Sequence, residues 1–263
     1  MSTDTVDRQL DGVVTNQLAV ALFANRAFLV EGTTESSVFY GIGDKTSFGS
    51  LEASGLSIVP VGGKTSIPLA HAILVSIGIP VYALFDADSG FEARAKAKGK
   101  TQDKIDAEQN SHVAANRALL KYFGRTVEDF PTAIVADAVA IFEDCLEELL
   151  SANWPEWITA CNNVEAAAGI SLAKNQLAYR TATLEASGTI PEMLSQILRK
   201  AVGGVTLRHT TLAAWLVVHR AARAPDGNVR VRNALTTDAR RSVHHARCRS
   251  SMNRISGSGS FCV

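Results

Sequence analysis

Four acidic residues stand in two short motifs whose spacing suits the binding of divalent cations. In LVEGTTE, Glu31 and Glu35 are separated by about one helical turn, so both carboxylates can face one cation. In ALFDADSG, Asp86 and Asp88 lie on one side of the chain if it stays extended. Hard cations such as Mg²⁺ prefer carboxylate oxygens, and two of them can activate water and neutralise the charge that develops during phosphodiester cleavage. The two motifs together therefore predict a metal site for phosphodiester chemistry.

Each motif also has a purely structural interpretation. Glu35 could be an early helical acid that the helix dipole favours, and acidic residues such as Glu31 are common in the turns that follow strands. The Asp-x-Asp-x-Gly sequence could cap a loop. The metal interpretation is favoured because both motifs directly follow an apolar segment that reads as a buried strand.

The elements that must position these residues alternate along the chain. The pattern predicts strands at 27–30, 57–61, 79–85 and 131–139, and helices at 16–25, 35–40, 66–77, 112–123, 141–150, 164–184 and 191–202. Residues 91–126 are expected to include a mobile polar loop before the helix at 112–123. Apolar strands alternating with helices predict an α/β fold with about four parallel strands flanked by helices. Glu31 and Asp86 then share the carboxyl edge of the sheet, where ligands gather in such folds.

The sequence GGKT at residues 62–65 resembles the end of a phosphate-binding P-loop. The first glycine of GxxxxGK[ST] would fall on Ile58, so the phosphate cradle is absent here. We interpret GGKT as the turn after the second strand, with contact between Lys64 and a phosphate backbone as the alternative.

The segments FLVEGTTESSVFY, IVPVGGKTSIPLA and GIPVYALFDADSG resemble the successive motifs of the TOPRIM fold. They are similar in particular to the OLD (overcoming lysogenization defect) family of ATP-dependent endonucleases, and the likeness extends over roughly residues 17–203. The resemblance implies metal-binding roles for Glu31, Glu35, Asp86 and Asp88. It also implies an acid/base catalytic role for Glu31.

Two later segments extend the resemblance. IFEDCLEELL is similar to the acidic helix after the fourth strand of these nucleases, which implies Glu143 as a further metal ligand, with Glu147 as the alternative. LAKNQLAYRTATLEASG looks like the family's lysine segment, which implies Lys174 as the catalytic residue that stabilises the transition state. The implied cofactor is Mg²⁺ or Mn²⁺ in a two-metal site.

The resemblance implies a hydrolase that nicks or cleaves DNA, in phage defence or DNA repair. Full-length members carry an ABC-type ATPase domain before the TOPRIM domain, and this sequence supplies no phosphate loop for one. A standalone nuclease, a non-autonomous or inactive subunit acting with a separate ABC-type ATPase, and a fragment of an interrupted gene remain alternatives. Primer synthesis or strand passage is less favoured, because a zinc-ribbon cysteine pattern and a tyrosine-bearing breakage domain are absent.

The charge of the chain is divided unevenly. From Val205 to Val263 there are ten Arg and two Asp, which leaves 16 of the 26 basic and 24 of the 26 acidic residues to the preceding part. A basic tail can hold nucleic acid, but its Arg-, Ser- and His-rich sequence without periodicity is typical of a disordered or out-of-frame extension. We therefore predict a nuclease domain at 1–203 and a poorly structured tail at 204–263.

Signals for secretion or for a membrane are not found in the sequence. The N-terminus lacks a basic segment leading into an apolar run, and no apolar stretch of about 18 residues occurs. Four scattered cysteines indicate neither a disulfide framework nor a zinc site. We expect a cytoplasmic protein with DNA as its partner and no membrane contact; a dimer is compatible with the sequence.

Overall fold

A five-stranded mixed sheet forms the centre of the protein, seen in a computed structural model that describes residues 16–169 and 176–203. The strands are β1 (Arg26–Val30), β2 (Leu56–Pro60), β3 (Val81–Asp86), β4 (Ile134–Val135) and β5 (Val139–Phe142). Their order across the sheet is β2-β1-β3-β5-β4. The first four strands in this order are parallel, and β4 runs antiparallel to β5 at the edge.

Ten α-helices connect or cover the strands within the described residues. They are α1 (Asn16–Ala21), α2 (Thr33–Thr46), α3 (Ser50–Ala53), α4 (Ile67–Ser76), α5 (Phe91–Ala97), α6 (Gln102–Tyr122), α7 (Leu146–Asn153), α8 (Pro155–Ala168), α9 (Gln176–Glu185) and α10 (Glu192–Gly203). A short 3₁₀ helix, Lys64–Ser66, precedes α4. None of the helices in these ranges combines the length and apolar content that crossing a bilayer requires.

Both faces of the sheet are buried, so its central strands are apolar at almost every position. Alternate residues point to opposite faces. Phe28 and Val30 of β1 pack into a core that includes Trp154, whereas Leu29 packs on the other side in a core that includes Leu119. The predicted α/β fold with helices around a mostly parallel sheet is confirmed.

The predicted fourth strand was placed too early. The chain reverses at residues 136–138, where the Ala136 amide donates to the Val139 carbonyl at 3.0 Å. The parallel strand is therefore β5, and only the two residues of β4 represent the earlier part of the predicted strand. Ile141 and Phe142 are fully buried strand residues rather than the start of a helix, and α7 begins at Leu146.

The polar stretch at 91–126 is also more regular than predicted. It forms α5 and the 21-residue helix α6, where a loop and a shorter helix were expected. A surface helix buries only one narrow stripe, here including Ile105 and Leu119, and the rest of its sequence can be polar. The charged composition of this segment therefore led to the wrong prediction of a loop.

The domain boundary predicted near residue 203 stays a prediction, because residues 204–263 lie outside the described ranges.

Candidate metal centre

The carboxyl ends of β1 and β3 bring the two acidic motifs together. Glu31 directly follows β1, and Asp86 is the last residue of β3. The backbone amide of Asp86 donates a hydrogen bond to Oε1 of Glu31 at 2.8 Å. The parallel pairing of β1 with β3 aligns these strand ends, so residues far apart in sequence form one site.

Glu35 lies in the first turn of α2, beside the same edge of the sheet. Its side chain is only 7% exposed, and its Oε2 accepts a hydrogen bond from the Gly32 amide at 3.0 Å. This contact satisfies one of the amides left free at a helix start, and the helix dipole favours a negative charge there. Glu35 is therefore oriented by its own helix.

The carboxylates of this edge perturb one another. Burial, and then the negative charges of Glu31, Glu35, Asp88 and Glu147, raise the pKa of Asp86 well above its usual value. Burial is also the main cause that raises the pKa of Glu31 from 4.5 to about 7 and that raises the pKa of Glu35. The Asp86 Oδ1 atom is buried without a hydrogen-bond partner. Such a group is costly to bury unless an opposite charge compensates it. We call Glu31, Glu35 and Asp86 the acidic cluster.

Asp88 has different surroundings from Asp86. Its φ of 58° lies in the left-handed region, which Asp tolerates better than most residues, so the chain is not extended here as the spacing argument assumed. Its Oδ2 lies 2.6 Å from Lys64 Nζ and 2.9 Å from His112 Nδ1, and its Oδ1 lies 3.5 Å from Arg94 Nη2. Burial opposes ionisation of Asp88, but the hydrogen bonds from His112 and Lys64 outweigh it and lower its pKa.

The GGKT turn connects the ends of β1 and β2. The amides of Gly62 and Gly63 donate to the Glu31 carbonyl at 3.0 and 2.9 Å. Their φ values of 77° and 120° are conformations that residues with a Cβ rarely adopt. The two glycines therefore hold the backbone of Glu31 in place through these hydrogen bonds.

Lys64 extends from this turn to the end of β3. Its side chain is buried, and its Nζ donates to the Asp86 carbonyl at 2.7 Å and to Asn116 Oδ1 at 3.1 Å, in addition to the ion pair with Asp88. Asn116 in turn donates to the Ala87 carbonyl at 2.8 Å. Lys64 and Asn116 thus hold the backbone that carries Asp86 and Asp88.

The segment after β5 contributes acidic residues in a different way than predicted. Glu143 is exposed and contacts the site through its carbonyl, which accepts from the Ser89 amide at 3.1 Å. Glu147, in the first turn of α7, is the acid whose charge raises the pKa of Asp86 and Glu35. The charge of the alternative, Glu147, therefore acts on the acidic cluster, although its side chain is exposed like that of Glu143. The metal roles of both stay predictions.

Two further observations complete the account of the predicted residues. Lys174 lies outside the described residues. Asp144, which the sequence did not single out, pairs with Arg94 and has a buried Oδ1 without a hydrogen-bond partner.

The acidic cluster fits a hard divalent cation in its chemistry. Its donors are carboxylate oxygens, its ionised forms repel each other, and Asp86 Oδ1 has an unused acceptor. In the part of the chain that the structure describes, no group of three His, Cys, Asp or Glu side chains stands ready to hold a metal ion. Mg²⁺ usually keeps several waters and takes only one or two carboxylates from the protein, with further ligands from substrate phosphates. The cluster can meet that requirement.

Comparison with known families agrees with this geometry. Residues 22–88 match the family described as "Overcoming lysogenization defect protein-like, TOPRIM domain". Over these residues the chain is similar to an OLD-like TOPRIM domain. The match begins before β1 and ends at Asp88, so it includes the acidic cluster, Asp88 and Lys64. The resemblance inferred from the motifs is confirmed over these residues, a shorter range than residues 17–203.

Two solved structures of the C-terminal region of the Xanthomonas campestris pv. campestris OLD protein are similar to the chain. Each is 14% identical to it; they cover 69% and 75% of this chain and 96% and 97% of their own chains, with TM-scores of 0.42 and 0.41. No curated protein matches the chain.

The residues near the ends of β1 and β3 that the sequence did not reveal have basic or amide side chains on later helices. They are Arg94 of α5 and His112 and Asn116 of α6. All three come after residue 88, beyond the matched range. A possible signal was the i, i+4 spacing of His112 and Asn116, which puts both side chains on one face of a helix.

Proposed function

We propose that this chain is a metal-dependent endonuclease that hydrolyses phosphodiester bonds in DNA, with the acidic cluster as its cation site. The observation that supports this most strongly is the convergence of buried, mutually repelling carboxylates at the carboxyl ends of β1 and β3, with Asp86 Oδ1 lacking a partner. This arrangement is unfavourable without a cation and becomes favourable with one. The OLD-like TOPRIM match over the same residues adds support for a nuclease-type fold.

In this proposal Glu31, Glu35, Asp86 and Asp88 hold Mg²⁺ or Mn²⁺, with Glu147 preferred to Glu143 as a further acid. When bound, the cations supply a polarised water and neutralise charge on the phosphate. The acid/base role of Glu31 rests on the resemblance; in the cation-free chain burial raises its pKa to about 7.

Lys64 and Asn116 act as positioning residues in this scheme. The hydrogen bonds of Lys64 to the Asp86 carbonyl and the Asp88 carboxylate fix the turn after β3, and Asn116 fixes Ala87 between them. A catalytic group gains from being held in place before the reaction. Lys174 keeps its proposed role in stabilising the transition state, which rests on the resemblance alone.

The direct test is nicking of supercoiled plasmid by the purified chain with Mn²⁺. We expect open-circle product from the wild type, loss of at least 100-fold in rate for Asp86→Asn, and no loss for Glu128→Gln, a matched change at an exposed acid. Undiminished nicking by Asp86→Asn would remove the cluster from the mechanism. Because the change is isosteric, a matching circular dichroism spectrum checks that the variant is folded.

A second candidate is a subunit that cuts only together with a separate ABC-type ATPase. One observation favours it: Asp88 is engaged by Lys64, His112 and Arg94, so an activating partner could be needed to release it. Co-expression with a neighbouring ATPase gene discriminates the two candidates. Nicking by the chain alone supports the autonomous enzyme, and nicking only by the complex supports the subunit.

DNA as substrate, a role in phage defence or repair, a cytoplasmic location and the oligomeric state remain predictions.

A further inference from the structure

We propose that the segment immediately after the acidic cluster binds the phosphate backbone of the nucleic-acid strand and leads it to that cluster. This inference rests on the function proposed above and adds the surface that holds the substrate. The surface, called the basic strip, consists of Arg94, Lys96, Lys98, Lys100 and Lys104, on α5, the short connection after it and the start of α6.

The basic strip stands out against the charge of the rest of the domain. Residues 1–204 contain 16 basic and 24 acidic side chains, and five of those 16 lie within positions 94–104. Only Glu92 and Asp103 oppose them between residues 91 and 104. A concentrated positive region on an otherwise acidic domain is the electrostatic feature that nucleic-acid backbones recognise.

The cations at the outer part of the strip are available to a ligand. Lys98 and Lys104 are exposed, and within residues 16–169 and 176–203 neither forms an ion pair. Lys96 pairs with Glu92 at 2.5 Å, and its side chain is 56% exposed. A surface ion pair of this kind is worth little and can be exchanged for a phosphate contact.

The inner end of the strip is attached to the candidate metal centre. Arg94 contacts both Asp88 and Asp144. The absence of a side chain at Gly90 leaves room for the Asp144 carboxylate and the Arg94 guanidinium to lie close to the backbone where α5 begins. The helix is therefore held against the turn that carries Asp88.

Aromatic packing fixes the strip against α6 as well. The Phe91 ring lies 4.6 Å from the His112 ring between centroids, and His112 contacts Asp88. Lys100 Nζ lies 5.5 Å from the centroid of the same Phe91 ring and also pairs with Glu108 at 2.6 Å. The backbone that carries the strip is thus packed beside the turn that contains Asp88.

The dimensions of the strip match a short length of one strand. Lys104 precedes His112 by eight positions on α6, which is about 12 Å along the helix axis at 1.5 Å per residue. Phosphates of one DNA strand recur about every 3.4 Å along the duplex axis. The distance from Lys104 to His112, which contacts Asp88, therefore corresponds to roughly three to four phosphates of a duplex strand.

Binding measured without cleavage tests this inference. Fluorescence anisotropy of a labelled 20-nucleotide single strand is followed with the full chain in EDTA, from 25 to 200 mM NaCl. The variant K98Q/K104Q removes the two unpaired cations of the strip. If each of the two substitutions removes one phosphate contact, the negative slope of log K against log[NaCl] becomes shallower by about 1.4. The affinity at 0.1 M NaCl then falls by about 10- to 25-fold.

A matched control removes the same charge elsewhere. K121Q/R125Q changes two exposed cations at and beyond the opposite end of α6, with Lys121 about 25 Å along the helix from Lys104. All three proteins retain the ten arginines after residue 204, so any contribution from them is common to the comparison. Equal melting temperatures establish that the substitutions leave the fold intact.

A fall in affinity and slope for K98Q/K104Q that K121Q/R125Q does not reproduce supports the basic strip. Equal effects of the two double variants, no effect of K98Q/K104Q, or no binding by the wild type overturns it. The outcome is separate from that of the proposed function. A wild type that binds through the strip but never nicks plasmid refutes only the nuclease, whereas nicking with unaltered binding by K98Q/K104Q refutes only the strip.

Discussion

The substitution Glu31→Gln is expected to stabilise the metal-free protein at neutral and alkaline pH. Glu31 has a pKa of about 7 in the folded chain and 4.5 when unperturbed, chiefly because of burial. Glutamine has the same shape and retains an oxygen that can accept the hydrogen bond from the Asp86 amide. The substitution therefore removes an unfavourable negative charge without removing its main contact.

The magnitude follows from the difference in pKa. Each pKa unit corresponds to about 1.4 kcal/mol, so a rise from 4.5 to about 7 costs the ionised wild type up to roughly 3 kcal/mol. We expect a gain of about 2 kcal/mol in unfolding free energy at pH 8, because neighbouring carboxylates share part of the effect. A raised carboxyl pKa costs stability as pH rises from 4.5 through 7, so the gain should shrink towards zero near pH 4.5.

Urea denaturation in EDTA at pH 5, 7 and 8 measures the effect for Glu31→Gln, the wild type and the exposed control Glu128→Gln. The control should follow the wild type at every pH. The reasoning is refuted if Glu31→Gln lowers the unfolding free energy at pH 8, or if its difference from wild type is independent of pH.

Three further substitutions test the surroundings of the site. Lys64→Met should lower the unfolding free energy by about 3 kcal/mol in urea titrations, because it leaves the Asp88 carboxylate without one of its buried partners. The additional change Asp88→Asn should restore stability in the double variant, and failure to do so would contradict the pairing. Gly41→Ala should lower the melting temperature by several degrees, because the added Cβ would lie 2.5 Å from Thr183 Cβ. A melting temperature equal to that of the wild type would show that α2 and α9 pack less closely than described. Burial lowers the pKa of His71 from 6.5 to about 4, so the unfolding free energy of the wild type should fall as pH drops through this range. His71→Phe should reduce this dependence of unfolding free energy on pH. The same pH dependence in both proteins would argue against a buried neutral imidazole.

The part of the site carried by strand ends could be predicted from the sequence. Glu31 and Asp86 each follow an uninterrupted apolar run, and right-handed crossovers between parallel strands bring such ends to one edge. Two local signals, the apolar strands and the acidic residues that follow them, were sufficient to predict that Glu31 and Asp86 lie at one edge of the sheet. The general rule for parallel sheets supplied the long-range contact.

The contacts made by long side chains could not be predicted in this way. Lys64 reaches Asp88 across 24 positions of sequence, and its neighbour Asn116 is 52 positions away. Nothing in the local pattern of GGKT distinguishes a buried lysine from a solvated one. The contact depends on how far α6 crosses the end of β3, which is set by packing of the whole domain.

The choice between Glu143 and Glu147 shows how a small boundary shift changes a site. The helix was predicted from residue 141, but β5 continues to Phe142 and α7 begins at Leu146. Burial of Ile141 and Phe142 between neighbouring strands and helices outweighs their local helical pattern. The shift places Glu147, instead of Glu143, in the first helical turn.

Calorimetric titration of Mn²⁺ into the metal-free chain tests the central claim, that the acidic cluster is a divalent-cation site. We predict saturable binding by the wild type and by Glu128→Gln at pH 8. Binding by Asp86→Asn should be at least tenfold weaker, because this change replaces the buried carboxyl group whose Oδ1 lacks a partner. Identical isotherms for Asp86→Asn and the wild type would contradict the claim.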